Sequence, residues 1–372
     1  MHHKPQILYV IVILGSLLLS ACSSATTQTP PSLTGLPAGS VQINGAGATF
    51  PLPVYTEWVF AYNYVDPSVT INYQGIGSGG GKKSIIDNTI DFAGSDSLLK
   101  DEEYTSGKDL QMYPMLAGAV VPIYNVEDVT KTLVLDGNVL VGIYSAKINK
   151  WNDPAIAALN TGITLPDKAI TVVHRSDGSG TTEMFTNALA SFSDEWKNSV
   201  GAGSAVEWPV DKAGNGIGGK GNQGVAAVVQ NTPNSIGYVE LSYAVANKMA
   251  YASFVNKAGK TVVANAESLT AAMADFANTF TPTLTNIIVN GSGEKSWPIS
   301  GYTYIILHTT TMQDCLKAQK LLEFLNWALT DTAAAGRAAE LGYAVLPEMV
   351  RTQVLTKLGE VTCSGKLVFP KK

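Results

Sequence analysis

Four glycine-rich loops, each followed by a helical pattern and three of them preceded by a β-rich run, most constrain what this 372-residue chain can fold into. Short β-rich runs that alternate with helical patterns predict an α/β fold with mostly parallel sheets. In such folds, ligands bind at the carboxyl ends of the strands, where these loops would lie. The four loops are Gly45–Pro51 (GAGATFP), Gly75–Gly81 (GIGSGGG), Arg175–Thr182 (RSDGSGTT) and Gly214–Gly224.

The composition is that of a folded protein with two domains, each large enough for its own core. Hydrophobic residues make up 45% of the chain and charged residues 15%, which excludes disorder for most of it. Twenty-five basic and 30 acidic side chains give a net charge of −5. Because no basic block is present, we expect no nucleic-acid partner.

The N-terminus has the pattern of an exported protein. The apolar run Ile7–Leu19 predicts a signal peptide over residues 1–21. The run Leu19–Cys22 (LSAC) resembles a bacterial lipobox, in which cleavage leaves a lipidated cysteine, here Cys22. An ordinary signal peptide that leaves a free cysteine is the alternative. Residues 22–40 are rich in Ser, Thr and Pro and carry no charge, so they would form a lipidated N-terminus and linker.

Two cysteines remain beyond Cys22. In an oxidising compartment, Cys315 and Cys363 could form one disulfide, although two separate thiols are the alternative. Either role would be structural, since no C-x-x-C motif is present. Only His174 and His308 lie outside the leader, which is too few for a multi-histidine metal site. We therefore predict no metal site.

Three of the glycine loops also carry hydroxyl side chains. A helix N-terminus offers unpaired N–H donors and a partial positive charge, and a glycine-rich turn lets an anion approach the backbone. Any one of these hydroxyls alone would be read as a helix N-cap. Three such loops in one chain favour a shared anion site. The residues are Thr49, Ser78, Ser179 and Thr181.

Two charged residues belong to the same group of loops. The guanidinium of Arg175 suits an oxyanion, although an ion pair with Asp177 could instead stabilise the turn. Asp96 lies in Asp91–Ser97 (DFAGSDS) after an expected strand, where a plain turn residue is the alternative. Enzymatic motifs fit less well, because both the phosphate-binding P-loop and the G-x-S-x-G nucleophile elbow are absent. We predict no catalytic residues and no cofactor.

Over about residues 41–367, these motifs resemble the phosphate-binding lipoproteins of the phosphate ABC importer, the PstS family. The resemblance implies an α/β, two-lobed, type II periplasmic-binding-protein fold with two crossing segments. Lobe 1 would comprise residues 41–117 plus 293–372, and lobe 2 residues 121–290. The matching motifs are GAGATFPLPVY (Gly45–Tyr55), YQGIGSGGG (Tyr73–Gly81), DFAGSD (Asp91–Asp96), RSDGSGTT (Arg175–Thr182), GGKGNQGV (Gly218–Val225) and IGYVE (Ile236–Glu240).

The resemblance also implies a set of phosphate-binding residues. Asp96 would be the sole negative contact and would accept the proton of phosphate, which sulfate lacks, so that it selects against sulfate. Arg175 would be the sole positive contact. The other contacts would be neutral donors, from Thr49, Phe50, Ser78, Ser179, Gly180 and Thr181.

The function implied is that of an extracytoplasmic receptor. It would capture inorganic phosphate between its lobes and deliver it to the membrane permease of an ABC importer. It would act as a monomer held to the cell membrane by its lipid, on the periplasmic side or the outer face. A secreted phosphatase or hydrolase that reuses the anion site is the alternative, and an adhesive surface role is a third hypothesis.

Overall fold

A computed structural model describes residues 40–369, so the expected signal peptide, Cys22 and the linker up to residue 39 lie outside the described residues. The strands of the described part are β1 (Val41–Gly47), β2 (Val69–Gly75), β3 (Phe92–Ser95), β4 (Leu110–Asn125), β5 (Val134–Asp136), β6 (Thr171–Arg175), β7 (Gly216–Gly219), β8 (Ser235–Glu240), β9 (Ala250–Tyr251), β10 (Ser253–Val255), β11 (Thr261–Val262), β12 (Ser300–His308), β13 (Ala344–Val345), β14 (Thr362–Cys363) and β15 (Lys366–Leu367).

Helices alternate with these strands along most of the chain. They are α1 (Leu52–Val65), α2 (Ser78–Ile86), α3 (Asp101–Gly107), α4 (Gly137–Tyr144), α5 (Pro154–Leu159), α6 (Gly180–Phe192), α7 (Asp194–Ser199), α8 (Pro209–Lys212), α9 (Gly221–Asn231), α10 (Leu241–Ala246), α11 (Ala266–Asp275), α12 (Cys315–Thr330), α13 (Thr332–Glu340) and α14 (Glu348–Leu358). Over the described residues, no helix combines the length and apolarity that a membrane span requires.

One long strand joins the two halves of the main sheet. The strand order is β2-β1-β3-β12-β4-β8-β6-β7, with β9 and β13 also paired to β4. The first part of the 16-residue β4 pairs with β12, and its last part, from Val120 to Asn125, pairs with β8. We call the strands from β2 to β12 the first half of the sheet, and β8, β6 and β7 the second half.

The sheet is mixed, which corrects the expectation of mostly parallel pairing. Within each half, β1 pairs in parallel with β2 and β3, and β6 pairs in parallel with β7 and β8. The central strands run the other way, since β12 is antiparallel to β3 and β4, and β4 is antiparallel to β8. The parallel blocks are therefore the βαβ units that the sequence pattern predicted, and antiparallel strands connect them.

The strand register brings the glycine loops together within each half. Gly47 at the end of β1 lies opposite Gly75 of β2 and Gly94 of β3. In the second half, Arg175 at the end of β6 lies opposite Gly219 at the end of β7. Because parallel strands end at the same edge of a sheet, the loops that follow them are neighbours.

Three helices begin earlier than their hydrophobic patterns predicted. The patterns began at Lys82, Glu183 and Val225, whereas α2, α6 and α9 begin at Ser78, Gly180 and Gly221. Small polar and glycine residues have no apolar periodicity, so the pattern does not include them. Three of the glycine loops therefore end in the first turn of a helix, whose N–H groups lack partners inside the helix. Two of the predicted loops also contain several strand residues, since Gly45–Gly47 ends β1 and Gly216–Gly219 forms β7.

Hydrogen bonds from two buried tryptophans and one disulfide join segments that are far apart in the sequence. The indole of Trp58 donates to the carbonyl oxygen of Ala334 at 2.9 Å, which fastens α1 to α13. The indole of Trp297 donates to the carbonyl oxygen of Val120 at 3.0 Å, where β4 changes partners. A disulfide joins Cys315 and Cys363, at the start of α12 and in β14.

Candidate functional site

The amide of Asn222 connects the loops of the two halves. It donates to the hydroxyl oxygen of Thr49 at 2.9 Å and to that of Thr181 at 3.1 Å. All three residues are at most 1% exposed. Thr49 follows β1 in the first half, whereas Thr181 lies in the first turn of α6 in the second half, so the predicted residues of both halves meet around this amide.

Ser78 makes a second connection between the halves. Its hydroxyl oxygen accepts the N–H of Asp96 at 3.2 Å and the N–H of Gly180 at 3.1 Å. Gly180 lies against Asp96 so closely that an added Cβ would be 2.4 Å from the Cβ of Asp96. A side chain at position 180 would therefore push α6 away from Asp96.

Arg175 is held by its neighbours with part of its guanidinium unused. Nε donates to Oδ1 of Asp177 at 2.8 Å, Nη2 donates to Oδ2 at 2.5 Å, and Nη1 donates to the hydroxyl of Thr181 at 3.3 Å. Burial alone would raise the pKa of Asp177, but the hydrogen bond and charge of Arg175 lower it overall. A guanidinium has five N–H donors, so three bonds leave two donors for a ligand.

Asp96 is a buried carboxyl with one oxygen already engaged. The hydroxyl of Thr303 on β12 donates to Oδ1 at 2.8 Å, whereas Oδ2 is 3.5 Å from the hydroxyl of Ser78. Burial raises the pKa of Asp96 to about 7, although Thr303, Arg175 and Ser78 act to lower it. Oδ2 is therefore the atom that can accept a hydrogen from a ligand.

Backbone donors complete the cluster. The N–H groups of Thr49, Phe50 and Thr181 have no acceptor among residues 40–369. They lie just before the first turn of α1 or within that of α6, where the helix dipole favours negative charge. Ser179, fully buried, caps α6 by accepting the N–H of Thr182 at 3.0 Å. Its hydroxyl therefore has the N-cap role that the sequence analysis left open.

The arrangement suits a small, largely desolvated oxyanion that carries at least one hydrogen. Fixed N–H and O–H donors can replace the water around such an anion, and Asp96 offers an acceptor to its hydrogen. The structure brings together all eight residues that the family resemblance implied: Thr49, Phe50, Ser78, Asp96, Arg175, Ser179, Gly180 and Thr181. No group of three or more potential metal-ligating side chains occurs within residues 40–369.

Sequence reasoning missed two residues of this cluster, Asn222 and Thr303. Asn222 lies in the fourth glycine loop, which was identified, but an asparagine there is indistinguishable from a turn residue. Thr303 is in the middle of β12, 207 residues from Asp96, and no local pattern indicates that contact. The pairing of Tyr304 with Ser95 brings it there.

Comparisons with known proteins agree on one family. The family model for the PBP superfamily domain matches residues 24–332. The phosphate-binding protein PstS of Pasteurella multocida is 46% identical over 330 residues, covering 88% of this chain and 93% of its own length. The phosphate-binding protein PstS of Haemophilus influenzae is 42% identical, covering 82% of this chain and 89% of its own length.

Solved structures of low sequence identity share the fold. A phosphate-binding protein from Stenotrophomonas maltophilia superposes with a TM-score of 0.66 at 22% identity, over 85% of this chain and 94% of its own. A putative phosphate ABC transporter substrate-binding protein with bound phosphate, from Clostridium perfringens, gives 0.60 at 19% identity, over 82% and 100%. The α/β architecture is thus the two-lobed fold of periplasmic binding proteins, and the chain belongs to the PBP superfamily and, within it, to the PstS family of phosphate-binding proteins.

Proposed function

We propose that this protein captures inorganic phosphate outside the cytoplasm and delivers it to an ABC importer. The observation that carries the proposal is the buried cluster in which Arg175 and Asp96 meet the N-termini of α1, α2 and α6. The relatives named phosphate-binding protein PstS support it over most of the chain. On this proposal the protein is a receptor and catalyses no reaction.

Each residue of the cluster has a role in this proposal. Arg175 offers two N–H donors and a positive charge to the anion. Asp96 accepts the hydrogen of phosphate, and sulfate at neutral pH would instead place a bare oxygen against this carboxyl. The neutral donors would come from Thr49, Phe50, Ser78, Ser179, Gly180 and Thr181. The hydroxyl of Ser179 also caps α6, and the N–H of Gly180, which donates to Ser78 in this structure, would turn to the anion.

The division into lobes is part of the proposal. Residues 41–117 plus 293–372 would form lobe 1, and residues 121–290 lobe 2. The register supports this division, because β4 changes partners from β12 to β8 at Val120. Phosphate would bind between the lobes and favour their closed arrangement, because residues of both lobes contact the ligand only when the lobes are closed.

Calorimetric titration of the purified protein tests the binding proposal. We expect saturable binding of phosphate and at least 100-fold weaker binding of sulfate at pH 7.5. Incubation with p-nitrophenyl phosphate is expected to release no nitrophenol. Equal affinity for the two anions would contradict the selectivity, and catalytic release of nitrophenol would favour the hydrolase.

The location of the protein is proposed from its N-terminal sequence. A signal peptide over residues 1–21 and a lipid on Cys22 would leave the protein on the extracytoplasmic side of the membrane, near its permease. Replacing Cys22 by Ser should move the protein from the membrane fraction to the soluble fraction of the producing cells. A Cys22→Ser variant that stays with the membrane would contradict the lipid anchor.

A further inference from the structure

Asn222 is a fully buried amide in the first turn of α9. Its side-chain oxygen accepts the N–H of Glu240 at 2.9 Å. Because an N–H can only donate, this bond fixes which end of the amide is oxygen and which is nitrogen. The NH₂ group therefore points toward Thr49 and Thr181.

The hydroxyl oxygens of Thr49 and Thr181 each accept two hydrogen bonds from the protein. Thr49 accepts from the side-chain nitrogen of Asn222 at 2.9 Å and from its backbone N–H at 3.1 Å. Thr181 accepts from the same side-chain nitrogen at 3.1 Å and from Nη1 of Arg175 at 3.3 Å. A hydroxyl has two acceptor positions and one hydrogen, so both oxygens are filled and each hydrogen must be donated elsewhere.

We propose that Asn222 is a positioning residue that fixes the hydroxyls of Thr49 and Thr181 as donors toward the bound oxyanion, and thereby helps determine which anion is accepted. This inference rests on the proposed phosphate site but assigns a role outside the residues that touch the ligand. With these hydroxyls held as donors, neither Thr49 nor Thr181 can accept the hydrogen of a protonated ligand oxygen, whereas Asp96 can.

A double-mutant cycle with inorganic phosphate tests the role of Asn222. In the wild type, Thr181→Val removes a donor to the anion and should weaken binding roughly tenfold, the effect of about 1.4 kcal/mol. In Asn222→Asp, the new carboxylate oxygen accepts the Thr181 hydrogen and turns it away from the ligand. Thr181→Val should then weaken binding less than about twofold. Thr181→Val also removes the hydroxyl that accepts from Nη1 of Arg175. This loss occurs with and without Asn222→Asp, so it cancels in the comparison.

The charge introduced by Asn222→Asp has a matched control. Asn231 is exposed at the far end of α9, and Asn231→Asp adds the same charge to the same helix. In that background, Thr181→Val should keep its roughly tenfold cost. A cost that falls in Asn231→Asp as much as in Asn222→Asp would assign the effect to charge and overturn the inference.

A second variant decides the question should Asn222→Asp fail to fold. Asn222→Ala frees one acceptor position on Thr181 without adding charge, so the cost of Thr181→Val should lie between those in the wild type and in Asn222→Asp. An equal cost in the wild type and Asn222→Ala would overturn the positioning role while leaving the phosphate site intact. Absence of phosphate binding by the wild type would instead refute the proposed function and, with it, this inference.

Discussion

Asp96 and Glu240 are two buried carboxyls, and burial raises the pKa of each above its usual value. Burial raises the pKa of Asp96 to about 7 and that of Glu240 to about 8. Asp96 follows β3 within the site. Glu240 ends β8, where it lies opposite Val120, the residue at which β4 changes partners. The difference between them is therefore one of partners and position rather than of burial.

The partners of Glu240 favour a neutral acid with a structural role. Oε2 accepts the backbone N–H of Ser242 at 3.0 Å, and the hydroxyl of Ser242 is also bonded to it. The hydroxyl of Tyr343 lies 2.9 Å from Oε2 and 2.7 Å from the carbonyl oxygen of Phe50. Its one hydrogen serves only one of these acceptors, so both contacts are hydrogen bonds only when Glu240 carries a hydrogen. Oε1 has no partner among the described residues.

Asp96 differs because its second oxygen, Oδ2, has only a long 3.5 Å contact with the hydroxyl of Ser78 among the described residues. Thr303 engages Oδ1, and the charge of Arg175 opposes the effect of burial on its pKa. Above about pH 7 the carboxyl is ionised, so it can accept a hydrogen bond from a bound anion. Burial alone thus does not define a functional acid, and the groups around each oxygen decide its role.

Among the substitutions that distinguish the site of Asp96 from that of Glu240, removal of Arg175 should weaken anion binding the most. Arg175→Ala takes the cation from the site and leaves the partly buried Asp177 without its partner, so phosphate, sulfate and arsenate should all bind at least 100-fold more weakly. Arg337→Ala, which breaks an ion pair with Glu57 at the surface, is the matched control and should leave binding unchanged. Calorimetric titration measures both. A loss restricted to one anion would contradict a general role for the charge.

Asp96→Asn should mainly change selectivity. An amide can donate to the bare oxygen of sulfate, so the ratio of phosphate to sulfate affinity should fall roughly 100-fold. Glu240→Gln, the same carboxyl-to-amide change in the other buried acid, should change that ratio less than twofold. Competition titrations with sulfate measure the ratio. An equal change of the affinity ratio in Asp96→Asn and Glu240→Gln would contradict a specific role of Asp96 in selectivity.

Thr303→Val should have a smaller effect on the same site. Loss of the hydroxyl removes a hydrogen bond that lowers the pKa of Asp96, and it frees Oδ1. Phosphate binding should weaken roughly three- to tenfold. This is less than the roughly 1.5–3 kcal/mol that a hydrogen bond to a charged group contributes, because the Thr303 bond is present both with and without the ligand. Unchanged affinity and selectivity would mean that Thr303 only packs against Asp96.

The last expected effect is on the pH dependence of stability rather than on anion binding. The folded protein raises the pKa of Glu240 from 4.5 to about 8, so the folded state binds this proton more tightly than the unfolded state. The stabilisation is complete below about pH 4.5 and is lost as the pH rises to about 8. The Tm of phosphate-free protein should fall over this range, and less steeply in Glu240→Gln. Parallel curves would show that Glu240 is not the group responsible.

The sequence located the residues that sit at strand ends. The loops around Thr49, Ser78 and Arg175 follow β-rich runs, and the parallel register within each half places such loops side by side. The antiparallel centre of the sheet could not be predicted. It depends on β12, which returns from a distant part of the chain to lie between β3 and β4.

The supporting residues were missed for the same physical reason. Thr303 has no glycine loop beside it, and its contact with Asp96 exists only through the pairing of β12 with β3. Asn222 was inside an identified loop, but its role depends on Glu240, Thr49 and Thr181, which come from three other segments. Local sequence patterns indicate which donors and acceptors a loop contains, whereas tertiary contacts set the direction in which each donor or acceptor points.

The shared strand β4 has a mechanical consequence. Its backbone is bonded to β12 up to Ala119 and to β8 from Val120, so the two ladders meet at a single peptide link. A flexible linker would let the halves swing in any direction, whereas a continuous strand allows bending about few axes. On the proposed closure of the lobes, each opening should therefore retrace nearly the same path, and the groups that contact the anion would return to the same register at each closure.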